Sequence, residues 1–226
     1  MERIPEPELM DDPHQARAYA DADFSRSDLE LVERLLELHG PDLGPAILDL
    51  GCGPGNLTFP LAELCPDAQV LGVDGSGAML AIAEGRRQAL TPGRPSPCFL
   101  LERLPCPSLV GRRFSALVSN SLLHHLHDPQ LFWRTVRQLA APGAVLFLQD
   151  LRRPADEAAL ERLVREHGAS LDPLVRADYG HSLRAAFTPE EVGAQLAISG
   201  LEGLVLTTHA DQYLRVQGRL PGRLAP

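Results

Sequence analysis

A doubly wound α/β fold with a mostly parallel sheet is what this sequence predicts, and three observations carry the prediction. Apolar strand-like runs alternate with helical ones from residue 46 to residue 150. The first of them, "AILDL", runs into glycines at alternate positions, Gly51, Gly53 and Gly55, the pattern of a buried strand that stops at a turn open to close backbone approach. The chain then closes with a helix and two short strands separated by about three residues around Ala210 and Asp211, a link short enough to imply an antiparallel hairpin at one edge of the sheet.

Two helical segments precede the alternation. Residues 13–24 and 26–39 read as helices, and in the second Leu29, Leu31, Val32, Leu35, Leu36 and Leu38 form an apolar face that Gly40 and Pro41 end. Together they make an N-terminal helical cap over residues 1–40. Strand 46–50 is followed by helix 56–65, strand 69–74 and helix 76–90. "CFLLE" is a poorer third strand, and "SALVSN" (115–120) is a good fourth. Helix "DPQLFWRTVRQLA" leads through Pro142 and Gly143 to strand 144–150. Residues 151–187 form an insertion dense in polar groups, and helix 188–200 opens on a Thr-Pro-Glu-Glu start signal before the two closing strands. No repeat or linker divides the 226 residues, so one domain is expected, with 45–150 as its core and 188–220 as its final helix and hairpin.

The composition, 44% hydrophobic and 23% charged, is that of a globular chain, and a formal net charge of -9 disfavours nucleic acid and anionic membrane as partners. Basic pairs at 112–113 and 152–153 have no interleaved aromatic residues to stack on bases. Cys52, Cys65, Cys98 and Cys106 form no C-x-x-C pair, which implies neither a zinc knuckle nor a disulfide framework and points to a reduced, cytoplasmic setting. The acidic start "MERIPEPELMDDP" lacks a basic-then-apolar signal pattern, and no run of eighteen apolar residues occurs.

The glycine loop excludes a pyrophosphate. Dinucleotide folds use G-x-G-x-x-G, whereas Asn56 stands here where the third glycine would fall. Asp49, two residues before the loop, suits a cation better than a phosphate. Asp74 ends the second strand roughly twenty residues on, where such folds put a carboxylate on ribose hydroxyls. The pattern is that of adenosine recognition without phosphate recognition.

With "LDLGCGPGNLT", "VLGVDGS" and "FSALVSNSLLHHLHDP" in this order, each at a strand end, the chain resembles the class I S-adenosylmethionine-dependent methyltransferases over residues 45–150. The resemblance implies a Rossmann-like seven-stranded sheet and S-adenosyl-L-methionine as cofactor. It implies that Gly51, Cys52, Gly53 and Gly55 approach the methionine portion, with Asp49 near its ammonium. Asp74 would take both ribose hydroxyls, Asn120 and Ser121 would line the methyl-donor side, and Gly75 and Ser76 would border the adenine. Relatives place an acid before a Leu-Pro pair in the next loop. This chain has Leu100 there, which leaves Glu102, or the backbone of Leu101 and Glu102, to recognise the adenine amino group. Tyr19, on a helix that often folds over the cofactor in this family, would reach the methionyl carboxylate or the substrate, or else pack the cap onto the core.

His124, His181 and Asp150 are the candidate general bases, needed only if the acceptor arrives protonated. No metal is expected at His124, His125, His127 and Asp128, because adjacent histidines rarely face one site. Arg152, Arg153, Tyr179, His181 and Ser182 are the candidate substrate contacts, and two inward-facing arginines would indicate a carboxylate-bearing acceptor. The expected function is methyl transfer to a small-molecule nucleophile. A catalytically idle S-adenosylmethionine-binding domain is the alternative, and a nucleotide-linked oxidoreductase a more remote one. After the fourth strand stands "SNSLLHH" rather than the Asn-Pro-Pro-Tyr type of loop of many amino-methylating enzymes, which favours metabolites over macromolecules.

Overall fold

The computed structural model describes residues 1–7 and 9–222. Helices α1 (Pro13–Asp21) and α2 (Ser25–His39) lead into β1 (Ala46–Leu50), α3 (Thr58–Leu64), β2 (Gln69–Asp74), α4 (Gly77–Gln88) and β3 (Cys98–Leu101). The chain continues through β4 (Phe114–Asn120), α5 (Gln130–Leu139) and β5 (Ala140–Leu151) to α6 (Glu157–His167), α7 (Pro173–Ala185), α8 (Pro189–Ile198), β6 (Val205–His209) and β7 (Tyr213–Arg219). The seven strands form one sheet in the order β3-β2-β1-β4-β5-β7-β6. β1 to β5 pair in parallel, and β7 pairs antiparallel with both β5 and β6. Among the described residues no helix is long and apolar enough to cross a membrane.

Ile47, Leu48, Asp49 and Leu50 of β1 are all buried, as a central parallel strand covered on both faces requires. On one face α5 and α8 supply Phe132, Trp133, Val136, Val192 and Leu196 to the larger core. On the other, Leu31, Val32 and Leu35 of α2 and Leu61 of α3 pack over Ile47, Val118 and Phe147. Trp133 is completely buried, and its indole N–H donates to Gln195 Oε1 at 2.9 Å, so one polar contact fixes α5 against α8.

Two parts of the chain differ from the sequence expectation. The insertion is helical: Asp156 caps α6 by accepting from Ala159 N, and Asp172, followed by Pro173, caps α7 by accepting from Leu174 N. These helices bury Leu160, Leu163 and Leu183 against Leu151 at the end of β5. The residues before α1 form an extended strap instead of part of a helical cap. Arg3 donates to the carbonyls of Ala185, His124 and Leu126, and Ser76 Oγ donates to Met10 O and Asp11 Oδ1, so the strap runs from α7 to the start of α4.

Replacing Gln195 with leucine is expected to lower unfolding stability by about 1–3 kcal/mol, because the buried Trp133 N–H loses its acceptor. Urea titration followed by far-UV circular dichroism checks this through a lower midpoint at an unchanged m-value.

Candidate functional site

The strand order reverses between β1 and β4, so the connections after these two strands leave toward opposite faces and open a crevice at their C-terminal ends. A cavity of about 980 Å³ fills that crevice and extends under α2 to the β6–β7 hairpin. It lies at the top of the roughly 300–1,000 Å³ range of small-molecule sites.

The glycine loop forms its first wall. Gly51 N and Cys52 N donate to Val73 O, which ties the loop to the end of β2. Asp74 then accepts from Gly53 N through Oδ2 and from Ser76 N through Oδ1, both at 2.8 Å. Gly53 has φ 53°, and a Cβ built on it would meet no atom within 4 Å, so the bare backbone presents itself to open space. Asp49 is 1% exposed and accepts from Thr58 Oγ1 at 2.7 Å. Burial, opposed by the Thr58 hydrogen bond and reinforced by Asp74 and Asp28, pushes its carboxyl up to about 7. Burial raises Asp74 as well.

The cap contributes a third carboxylate. Arg86 of α4 donates to Pro54 O, to Asn56 Oδ1 and to Ala20 O, clamping the glycine loop and the end of α1 to α4. Asn56 in turn hydrogen-bonds Asp28, whose carboxyl burial pushes up to about 7. Three mutually repelling acids at one end of a cavity favour a bound cation. Asn120 Oδ1, buried and without a hydrogen-bond partner, adds an acceptor on the same wall.

The second wall is built around His124. Asp150 at the end of β5 accepts from Leu123 N and Leu151 N, and its Oδ1 lies 2.5 Å from His124 Nδ1. That contact fixes the ring and leaves Nε2 facing Glu6 of the strap, 3.4 Å away. Burial pulls His124 down, but the Asp150 and Glu6 carboxylates outweigh it and the group is raised above its ordinary value. His125 is driven well below its ordinary value by burial and by His124. Glu6, which also accepts from Ser182 Oγ at 3.0 Å, is raised by burial. Ligand atoms of Glu6, His124 and His125 lie within 4.8 Å of one another, the one buried grouping of this kind among the described residues.

Of the residues singled out from the sequence, Asp49, Gly51, Cys52, Gly53, Asp74, Gly75, Ser76, Asn120, Ser121 and Tyr19 line the cavity, as do His124, Tyr179 and Ser182. Asp150 stands behind His124. Gly55 and Leu101 are not on the lining: Gly55 packs against Phe59, and Leu101 is exposed. Glu102 reaches the cavity, with its carboxylate accepting from Ser108 N and Oγ and its own N–H donating to Asp74 O. His181 is exposed on the outer side of α7, because the helical turn that brings Ser182 and Tyr179 inward carries it out. Arg152 donates to Asp211 O, and Arg153 pairs with Glu191 at 2.6 Å, so neither faces the cavity. Glu6, Asp28, Arg86 and Arg215 belong to the site but were not expected in it. Asp28 stands inside the first turn of α2, where an acid suits the helix dipole.

Residues 48–146 match the family model described as a methyltransferase domain. The ubiquinone biosynthesis O-methyltransferase of Rhizobium etli is 30% identical over 159 residues, which cover 70% of this chain and 60% of that protein. The chain thus spans less than two thirds of that relative. A crystal structure of a SAM-dependent methyltransferase from Aquifex aeolicus superposes with a TM-score of 0.66 at 19% identity, covering 92% of this chain and 98% of that one. Magnesium protoporphyrin IX methyltransferase from Synechocystis, solved with bound S-adenosylhomocysteine, gives a TM-score of 0.60 at 21% identity over 90% and 91% of the two chains.

The Asp150→Asn variant is expected to lower the His124 pKa, since it removes a carboxylate that holds the ring charged. Long-range ¹H–¹⁵N NMR of the histidine rings across a pH series measures this. A His124 titration that stays put would show that Asp150 does not control the ring.

Proposed function

We propose that this chain is a class I S-adenosylmethionine-dependent methyltransferase and that it transfers a methyl group from S-adenosylmethionine to an oxygen nucleophile on a small molecule. The observation that carries this reading is the acid-lined glycine loop, in which Asp74 holds Gly53 and Ser76 while the space over the Gly53 Cα stays clear. Buried carboxylates at Asp49 and Asp28 suit an ammonium and a sulfonium and oppose a phosphate. The orphan Asn120 Oδ1 awaits a donor. The residues present therefore fit the cofactor. Asp74 would hold the ribose hydroxyls, Asp49 and Asn120 the methionyl end, and Tyr19 and Ser121 would flank it.

When bound, S-adenosylmethionine supplies a methyl group already activated for displacement. The protein's part is to orient the acceptor, exclude water and take a proton. His124 Nε2 is the group placed for the proton of an acceptor hydroxyl, and Asp150 holds the resulting imidazolium in orientation. Because Glu6 stands before Nε2, the strap residues around it move aside when the acceptor enters. An oxygen acceptor is supported by this base and by the O-methyltransferase relative. The acidic net charge of -9 supports a metabolite rather than nucleic acid as the acceptor. A dinucleotide is disfavoured because Asn56, at the third-glycine position, is locked between Arg86 and Asp28.

Calorimetric titration with S-adenosylhomocysteine and with NAD tests the reading: saturable binding of the first alone is expected, and binding of NAD alone would overturn it. Asp74→Ala is expected to weaken S-adenosylhomocysteine by about 10–100-fold, because charge-assisted hydrogen bonds to the ribose are lost.

Asp49 also gives a pH signature. With its ligand-free pKa at about 7, the carboxyl is largely protonated at pH 6, and a bound cation favours the ionised form. Cofactor binding at pH 6 should therefore release a proton, and affinity should rise with pH up to about 7 and then level off. Calorimetry at pH 6 in buffers of different ionisation enthalpy reads the released proton, and Asp49→Asn should reduce it, the remainder coming from Asp28, whose carboxyl burial also pushes up to about 7.

A further inference from the structure

The far arm of the cavity has the opposite polarity to the glycine loop. There the lining is Arg215 of β7, Arg34 of α2 and His209 of β6, with Gln149 of β5 directly across from Arg215 in the sheet. Arg215 is 8% exposed. Its guanidinium lies over the Phe147 ring, 5.2 Å from the centroid, and donates through Nη2 to Gln149 Oε1 at 2.7 Å. Its Nε is buried with no hydrogen-bond partner. Among the described residues no carboxylate lies within ion-pair distance of it. Of the acids of α2 that line the same cavity, Asp28 is held by Asn56, Glu30 pairs with Arg26 at 2.8 Å and Glu37 pairs with Arg34 at 3.0 Å.

A buried guanidinium without a counter-ion is costly, and its natural partner is a carboxylate, whose two oxygens match the guanidinium fork. Burial and the neighbouring Arg34 both disfavour the charge on Arg215, and burial, followed by Arg215 and Arg34, lowers His209.

We infer that Arg215, with Gln149 beside it and Arg34 and His209 at its rim, is an anion subsite that binds a carboxylate of the methyl acceptor. This assignment rests on the methyl-transfer reading for the identity of the ligand, though not for the existence of the subsite. The two ends of the cavity then divide the work: carboxylates receive the cationic cofactor, and the guanidinium receives the acceptor's anionic group. The acceptor is thus an acid with a methylatable oxygen elsewhere in the molecule, long enough to reach from Arg215 to the cofactor end. The arginines expected from the sequence to do this, Arg152 and Arg153, are engaged with Asp211 and Glu191 outside the cavity.

The test is a ¹H–¹⁵N NMR titration of the full chain, loaded with S-adenosylhomocysteine, using benzoate as probe and the isosteric but neutral benzamide as control. The Arg215 Nε–H resonance, assigned by its loss in Arg215→Gln, should shift saturably with benzoate and not with benzamide. Arg215→Gln should weaken benzoate by about 10-fold or more, and Arg215→Lys, which keeps the charge but not the fork, by less. The Gln variant should bind S-adenosylhomocysteine as the parent does, which shows that it is folded. No shift with benzoate, an equal shift with benzamide, or unchanged benzoate affinity in a folded Arg215→Gln would overturn the subsite. Failure of S-adenosylhomocysteine to bind the parent protein would instead overturn the cofactor reading, with the benzoate titration of the ligand-free chain still deciding the subsite.

Discussion

Everything at the site depends on the reversal of strand order between β1 and β4. A parallel sheet whose connections all leave to one side has no gap above its strand ends. Where two neighbouring strands send their chains apart, backbone from both can face the same empty volume. Here β1 delivers the glycine loop and Asp49, β4 delivers Asn120 and the histidine turn, and the flanking strands β2 and β5 add Asp74 and Asp150. The buried acids are tolerated because each is held by donors: Asp49 by Thr58, Asp74 by Gly53 and Ser76, Asp150 by Leu123 and Leu151.

Charge is sorted within the cavity with the same economy. Neighbouring groups hold His124 above the ordinary imidazole value and burial takes His125 below it, so two identical side chains adjacent in sequence are shifted in opposite directions. The cause is geometric: one ring meets Asp150, while the other is buried beside the first ring with no carboxylate raising it. Across the cavity the acids of the glycine loop and the unpaired Arg215 set up a field that would align a pair of ligands of opposite charge.

The parts legible in the sequence were those set by local pattern. β1 and β2 have the bounds their apolar runs indicated, and the glycine loop with Asp74 follows from spacing along one strand–turn–helix unit. The helices of the insertion escaped because their polar density suggested pocket-lining loop, although Asp156 and the Asp172-Pro173 pair are ordinary helix-start signals. Glu6 and Arg215 escaped for a different reason. Glu6 meets His124 only because the strap crosses the finished domain, and Arg215 faces the cavity only because β7 lies beside β5 in one register. Had that register slipped by one residue, its side chain would point to the other face. Arg152 and Arg153 stood nearer to the expected site in sequence and proved to be structural.

The strap has a consequence for how the domain is assembled. Its side-chain hydrogen bonds span from 65 residues, between Asp11 and Ser76, to 182 residues, between Arg3 and Ala185. Contacts of such separation bear a loop-closure entropy that is repaid only once the surfaces they join exist. The strap therefore docks last, after β4, α4 and α7 are in place. A unit that forms last gives the cavity a cover whose motion would be local to the strap, independent of any change in the sheet beneath it.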